Sequence, residues 1–194
     1  MVRELQFSFS SLPLVKFPAE PMAPQAGIGY LIQMSDKTRI KIEKNDSVFS
    51  AAHFLADMGK CERMHGHNYF ICVEAQGSPD RSGAVIDFNL LDSIVGKVCH
   101  PLDHKVLIAQ NSKTAQVALS GMEVEVKLKT KRYLLPMEDC LLLPLETTTV
   151  ESLAGYLLDR ILEELGDTAE RINRIEVGVG EGGSKMAYCR REIA

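Results

Sequence analysis

Several features that mark common function classes are missing from this sequence. Lysines and arginines number 22 against 26 aspartates and glutamates, a formal charge of −4, and no block is strongly basic. A nucleic-acid backbone would find few cations to exchange for its counterions, so that class of partner is excluded. No stretch approaches the ~18 uninterrupted apolar residues that a membrane helix needs. A clean signal peptide is also lacking, because Glu4, the serines after it and Pro13 interrupt any apolar run at the start. Cys-x-x-Cys pairs are absent. The five cysteines (Cys61, Cys72, Cys99, Cys140 and Cys189) are scattered and odd in number, which suits a reducing, cytoplasmic setting better than a disulfide framework. There is no internal repeat.

What remains is an ordinary globular composition, with 45% hydrophobic and 25% charged residues among 194 and a mean hydropathy of −0.04. Four of the eight prolines (Pro13, Pro18, Pro21 and Pro24) precede position 25. Proline fixes φ and removes a donor, so residues 1–33 are expected to be an extended or poorly ordered N-terminal extension, or an over-long start. Residues 34–194 are expected to form one domain.

Periodicity predicts its elements. Ile40 and Ile42 alternate with charged residues over 38–44, as in a half-buried strand, and 68–76 is rich in aromatic and β-branched types. Asp87 is placed to cap a helix over 88–99 that buries Leu90, Leu91, Ile94, Val95 and Val98, with Pro101 stopping it. Met122, Val124, Val126 and Leu128 oppose charged neighbours, predicting a strand that continues as a hairpin through Tyr133–Leu135. Thr148 to Glu151 fits a capping box ahead of a helix, with an apolar stripe from Val150 to Leu165 and a stop at Gly166. Two last strands follow, Ile172–Val179 and Met186–Glu192, joined by a turn at Gly182-Gly183. Strands that neighbour in sequence, with two helices between pairs, predict an antiparallel α+β domain.

Three of the five histidines cluster: His53, then His65 and His67 around Gly66. In a strand, positions i and i+2 share a face, so His65 and His67 can reach one ion, and His53 can supply a third nitrogen. Three neutral imidazoles leave a fourth position open, which is the pattern of a catalytic zinc. Cys61 lies four residues before His65, where a nearby cation would acidify its thiol. Asp103-His104 can act as a proton relay, the carboxylate fixing the imidazole tautomer.

Together these segments resemble the 6-pyruvoyl-tetrahydropterin synthase superfamily, which includes the 6-carboxytetrahydropterin synthases. The matching stretches are FSAAHFL (49–55), CERMHGHNYF (61–70), GAVIDFNLL (83–91), PLDHKVL (101–107), TTVESLA (148–154) and VGVGE (177–181). Residues 108–146 read as an insertion carrying a β-hairpin. The resemblance implies a tunnelling fold, with a four-stranded antiparallel sheet and two helices on one face. It implies Zn2+ on His53, His65 and His67, and Cys61 as general base with Asp103 and His104. It implies Glu181 as the carboxylate that anchors a pterin ring, with Thr148 and Thr149 near the substrate. It also implies homo-oligomers, trimers or hexamers made as dimers of trimers, with sites at subunit boundaries.

The implied reaction takes 7,8-dihydroneopterin triphosphate to 6-carboxy-5,6,7,8-tetrahydropterin, a queuosine precursor. One residue complicates this. Glu62 follows Cys61, and siblings that release 6-hydroxymethyl-7,8-dihydropterin for folate synthesis resemble this pattern with a glutamate base. The same motifs are also compatible with 6-pyruvoyl-tetrahydropterin synthesis and with a non-catalytic pterin-binding paralogue.

Overall fold

The computed structural model describes residues 38–43, 48–182 and 184–193, all of them within the compact unit 34–194. The expectation for residues 1–33 lies outside the described residues. Alternating apolar residues form β1 (Thr38–Glu43), β2 (Phe49–His53) and the long β3 (His65–Gly77). β1 and β2 lie end to end along β3, antiparallel to it, with Ile42 opposite Val73 and His53 opposite His65. β9 (Ile172–Glu181) lines the other edge of β3, and β10 (Met186–Glu192) pairs with β9. These strands form the antiparallel unit expected from the sequence.

That sheet is wider than the four strands implied by the resemblance. β4 (Lys105–Ala109) joins β2 in parallel, and β8 (Cys140–Leu143) joins β4 in parallel, giving seven strands in all. The ends of the segment read as an insertion therefore belong to the main sheet. Only its middle is separate, as an antiparallel three-stranded sheet of β5 (Gln116–Ser120), β6 (Glu123–Lys127) and β7 (Arg132–Pro136).

Two helices cover one face of the main sheet. α1 (Phe88–Cys99) starts where the Asp87 side chain accepts the Asn89 N–H, as expected. Its buried residues are Leu91, Ile94, Val95, Val98 and Cys99, whereas Leu90 is 41% exposed. Leu90 lies at the margin of the stripe in the first helical turn, where Phe88 is exposed as well. α2 (Val150–Leu165) buries Leu153, Ala154, Leu157, Leu158, Ile161 and Leu165. Its cap is Thr149, whose hydroxyl accepts the Ser152 N–H at 3.4 Å. The N-cap thus falls one residue later than the expected capping box, and Thr148 is released for another task.

The main core forms between these helices and the odd-numbered residues of β3 and β9, from Tyr69 to Ala75 and from Ile175 to Val179. A second core lies on the opposite side of β4 and β8. There Val106, Ile108, Cys140 and Leu142 meet Val117, Val124, Val126, Tyr133 and Leu135 of the smaller sheet, with Phe54, Ala56 and Met64. Met122, expected on the buried side, is 77% exposed because it sits in the turn after Gly121 rather than in β6.

Candidate metal and substrate site

Register decides which side chains meet. His53 opposes His65, Ala51 opposes His67 and Tyr69 opposes Glu181, so all three histidines, Tyr69 and Glu181 project from one face. Gly66 between His65 and His67 eases a tight approach, since a Cβ there would sit 3.3 Å from the Ala51 carbonyl oxygen. The three imidazole centroids are 4.6, 5.2 and 5.0 Å apart. One ring nitrogen from each lies within 4.8 Å of the others.

Hydrogen bonds set the tautomers. His53 Nδ1 is 3.1 Å from the Thr148 carbonyl oxygen, and His65 Nδ1 is 2.7 Å from that of Arg63. A carbonyl only accepts, so each Nδ1 carries the proton and each Nε2 presents a lone pair. Carbonyl partners of this kind orient metal-binding histidines. His53 Nε2 and His67 Nε2 are buried without a hydrogen-bond partner. Buried polar atoms are rarely left so, and two unpaired Nε2 atoms beside a third imidazole could hold a metal ion. His53 is fully buried. Burial, reinforced by His65 and His67, pushes its pKa down to about 4, against the opposing pull of the Thr148 carbonyl. The imidazole is therefore neutral and ready to ligate.

Glu181 stands beside this cluster. Its Oε1 lies 3.5 Å from His53 Nε2 and its Oε2 lies 3.5 Å from His67 Nε2. At that range it forms no good hydrogen bond with either ring. The carboxylate is part-exposed and adjoins Tyr69, whose hydroxyl is held strongly protonated by burial and by the Glu181 charge. A carboxylate so placed accepts paired N–H groups from a planar heterocycle.

Asp103 and His104 do touch, which adjacency in sequence could not establish. Asp103 Oδ2 is 2.9 Å from His104 Nδ1, while Oδ1 accepts the Ser50 N–H at 2.9 Å. The Ser50 N–H and then His104 hold the Asp103 carboxyl below its usual range, so it remains an anion that orients the ring. His104 has φ of 58° and its side chain is 83% exposed. It lines an open groove of about 670 Å³ with Ser50, Ala52, Gly66 and Asn68, and His67 also borders this groove. Ser50, Ala52, Gly66 and Asn68 alternate with the histidine positions along β2 and β3, so His104 borders mainly the face of the sheet opposite the imidazoles.

Cys61 lies in a 3-10 turn, Gly59–Glu62, between β2 and β3. Its thiol is free and part-exposed, and its backbone is tied to Leu55 and Met58. Glu62 does not simply face water: its carboxylate takes an ion pair from Lys131 at 2.8 Å and the Asp57 N–H at 3.2 Å. Lys131, then Asp57, lowers its pKa. Thr149 is occupied in capping α2, and Thr148, 2% exposed, backs His53 with its carbonyl oxygen and with its hydroxyl at 3.3 Å. Sequence reasoning missed the supporting roles of Arg63, Tyr69 and Lys131. Only Tyr69 carried a signal, since it lies two residues beyond His67 on the same strand face.

The same fold occurs in known proteins. A family model described as 6-pyruvoyl tetrahydropterin synthase matches residues 41–192.

This chain belongs to the 6-pyruvoyl tetrahydropterin synthase family.

A Methanocaldococcus jannaschii relative, provisionally named 6-carboxy-5,6,7,8-tetrahydropterin synthase, is 35% identical over 149 residues, covering 75% of this chain and 90% of its own. A Haemophilus influenzae protein with the same enzyme name is 37% identical over 128 residues, covering 62% of this chain and 81% of its own. The solved 6-pyruvoyl tetrahydropterin synthase of Plasmodium falciparum superposes with a TM-score of 0.76 at 29% identity, over 81% of this chain and 99% of that one. Solved Plasmodium vivax chains of the same fold include variants of a glutamate described as a catalytic residue. Among the described residues, no helix is long and apolar enough to cross a membrane.

Proposed function

We propose that this member of the family is a zinc enzyme converting 7,8-dihydroneopterin triphosphate to 6-carboxy-5,6,7,8-tetrahydropterin, with loss of triphosphate and acetaldehyde. The observation that carries the proposal is the convergence of His53, His65 and His67, with two buried Nε2 atoms that lack a hydrogen-bond partner. The relatives named for that product support the choice of reaction.

His53, His65 and His67 hold the metal, which supplies Lewis-acid polarisation of the substrate's side-chain oxygens. Glu181 accepts the paired N–H groups of the pterin and fixes its ring at the mouth of the cluster. Cys61, as the thiolate, removes a carbon-bound proton and returns it on the other side of the rearrangement. His104, oriented by Asp103, handles the substrate hydroxyl proton. Within one chain His104 of the Asp103–His104 pair is exposed and borders mainly the face of the sheet opposite the imidazoles. The reading therefore takes that pair from a neighbouring copy, in a trimer or hexamer of cytoplasmic chains. The proline-rich residues 1–33 are assigned as an extension outside this catalytic domain.

A second reading is favoured by the Plasmodium vivax chains, in which a glutamate is catalytic. Glu62 would then be the base, and the product would be 6-hydroxymethyl-7,8-dihydropterin. The test is incubation of the zinc-loaded protein with 7,8-dihydroneopterin triphosphate, followed by mass spectrometry of the pterins. The carboxy product with acetaldehyde is expected, and chelation should abolish it. A hydroxymethyl or pyruvoyl product overturns the first reading. No turnover at full zinc occupancy would identify a non-catalytic pterin binder.

A further inference from the structure

The smaller sheet grips the turn that carries Cys61. Lys131, in the link between β6 and β7, reaches Glu62 Oε1 at 2.8 Å, and Lys129 from the same link reaches Asp57 Oδ1 at 2.9 Å. The Tyr133 hydroxyl donates to the Glu62 carbonyl oxygen at 3.4 Å, and its ring stacks on Phe54 with centroids 5.5 Å apart. Glu62 closes the turn on itself by accepting the Asp57 N–H through Oε2. The 54–62 segment is thus held at both ends by one small sheet.

Two consequences follow for chemistry. Cys61 precedes Glu62 directly within the same 3-10 turn, so holding Glu62 fixes the backbone from which the thiol projects. Both Glu62 oxygens are also engaged, one by an ammonium and one by an amide. A carboxylate so paired is a poor acceptor for a proton from carbon. We propose that Lys131 is a positioning residue whose ion pair with Glu62 holds the Cys61 turn and keeps the adjacent carboxylate out of the reaction. This rests on the reading of Cys61 as the base and deepens it, by making the smaller sheet a determinant of which base acts.

A single part-buried ion pair between long side chains contributes little to global stability, so the effect belongs to the turn rather than to the fold. The first test reads Cys61 without any pterin. Zinc-loaded wild type and Lys131→Met are treated with iodoacetamide, and each cysteine is followed by peptide mass spectrometry. Alkylation of Cys61 should be at least threefold faster in Lys131→Met and close to wild type in Lys131→Arg. Glu62→Gln should match Lys131→Met, and the double variant should add nothing. Cys189, in β10 away from this turn, reports on the rest of the fold. An unchanged Cys61 rate, additive effects, or equal acceleration at Cys189 would each overturn the proposal.

The second test is the product ratio. In Lys131→Met, where Glu62 is released, kcat for the carboxy product should fall at least fivefold with KM within twofold, and hydroxymethyl pterin should appear. Lys131→Arg should restore the wild-type ratio. A rise in KM alone would mark substrate binding by Lys131 and overturn the positioning role. If wild type turns over nothing, the proposed function fails, while the alkylation result still decides whether Lys131 holds the turn.

Discussion

The most searching perturbation is acid titration of the metal-free protein, because His53 couples the metal site to folding. Burial lowers its pKa from the ordinary 6.5 to about 4. Between those values the unfolded chain takes up a proton that the folded chain refuses, so protons favour unfolding. The contribution of neutral His53 is fully present above pH 6.5 and is lost progressively as pH falls through 6.5 towards 4. At about 1.4 kcal/mol per pH unit, that gap is worth on the order of 3 kcal/mol. Denaturant unfolding at intervals from pH 7.5 to 4 should show that loss, and His53→Gln should lack it. Zinc saturation should flatten the curve at pH 6 and 5, because the metal competes with the proton for the same lone pair. NMR provides the direct check, since the His53 imidazole should stay neutral to near pH 4 in the metal-free chain. A His53 pKa at or above 6.5, or identical pH slopes in wild type and His53→Gln between pH 6.5 and 5, would refute the reasoning.

Replacing Glu181 by Gln removes the charge but keeps the shape. KM for the pterin should rise roughly tenfold or more, as expected for loss of a charge-assisted pair, with zinc content by metal analysis unchanged. Two glycine variants should differ sharply in thermal unfolding. The Cβ of Gly77→Ala would fall on the Arg171 carbonyl oxygen and 3.0 Å from Val85 Cγ1, a clash with backbone at the β3–β9 irregularity. It should cost about 2 kcal/mol or more. The Cβ of Gly178→Ala would meet only the Tyr188 ring and the tip of Met186. Tyr188 is 56% exposed and free to swing, so the cost should stay below about 1 kcal/mol.

Elements with a strong local pattern were legible in the sequence. The α2 stripe and the β6 alternation gave their elements because one face of each is fully buried, and Gly166 ends α2 at φ of 48°. The three histidines were legible because strand alternation is local: His65 and His67 must share a face wherever that strand lies. Leu90 and Met122 were misjudged because burial depends on rotation about an axis and on where a turn ends, which neighbours in sequence do not set. The parallel strands β4 and β8 escaped notice because their partners are distant in sequence, as with Leu107 opposite Leu141.

The sequence by itself determined the ligand chemistry: three imidazoles, a thiol, an Asp-His pair and a glutamate in the order of one enzyme family. Tertiary structure alone decided how they are used. Register placed Glu181 across from Tyr69 and beside two imidazoles, and helix capping shifted to Thr149 and left Thr148 to hold His53. Strand register set His104 mainly against the opposite face, and packing of the smaller sheet brought Lys131 onto Glu62 across a separation of 69 residues. Side-chain type is written residue by residue, but face, tautomer and ion-pair partner are set by backbone that comes from elsewhere in the chain.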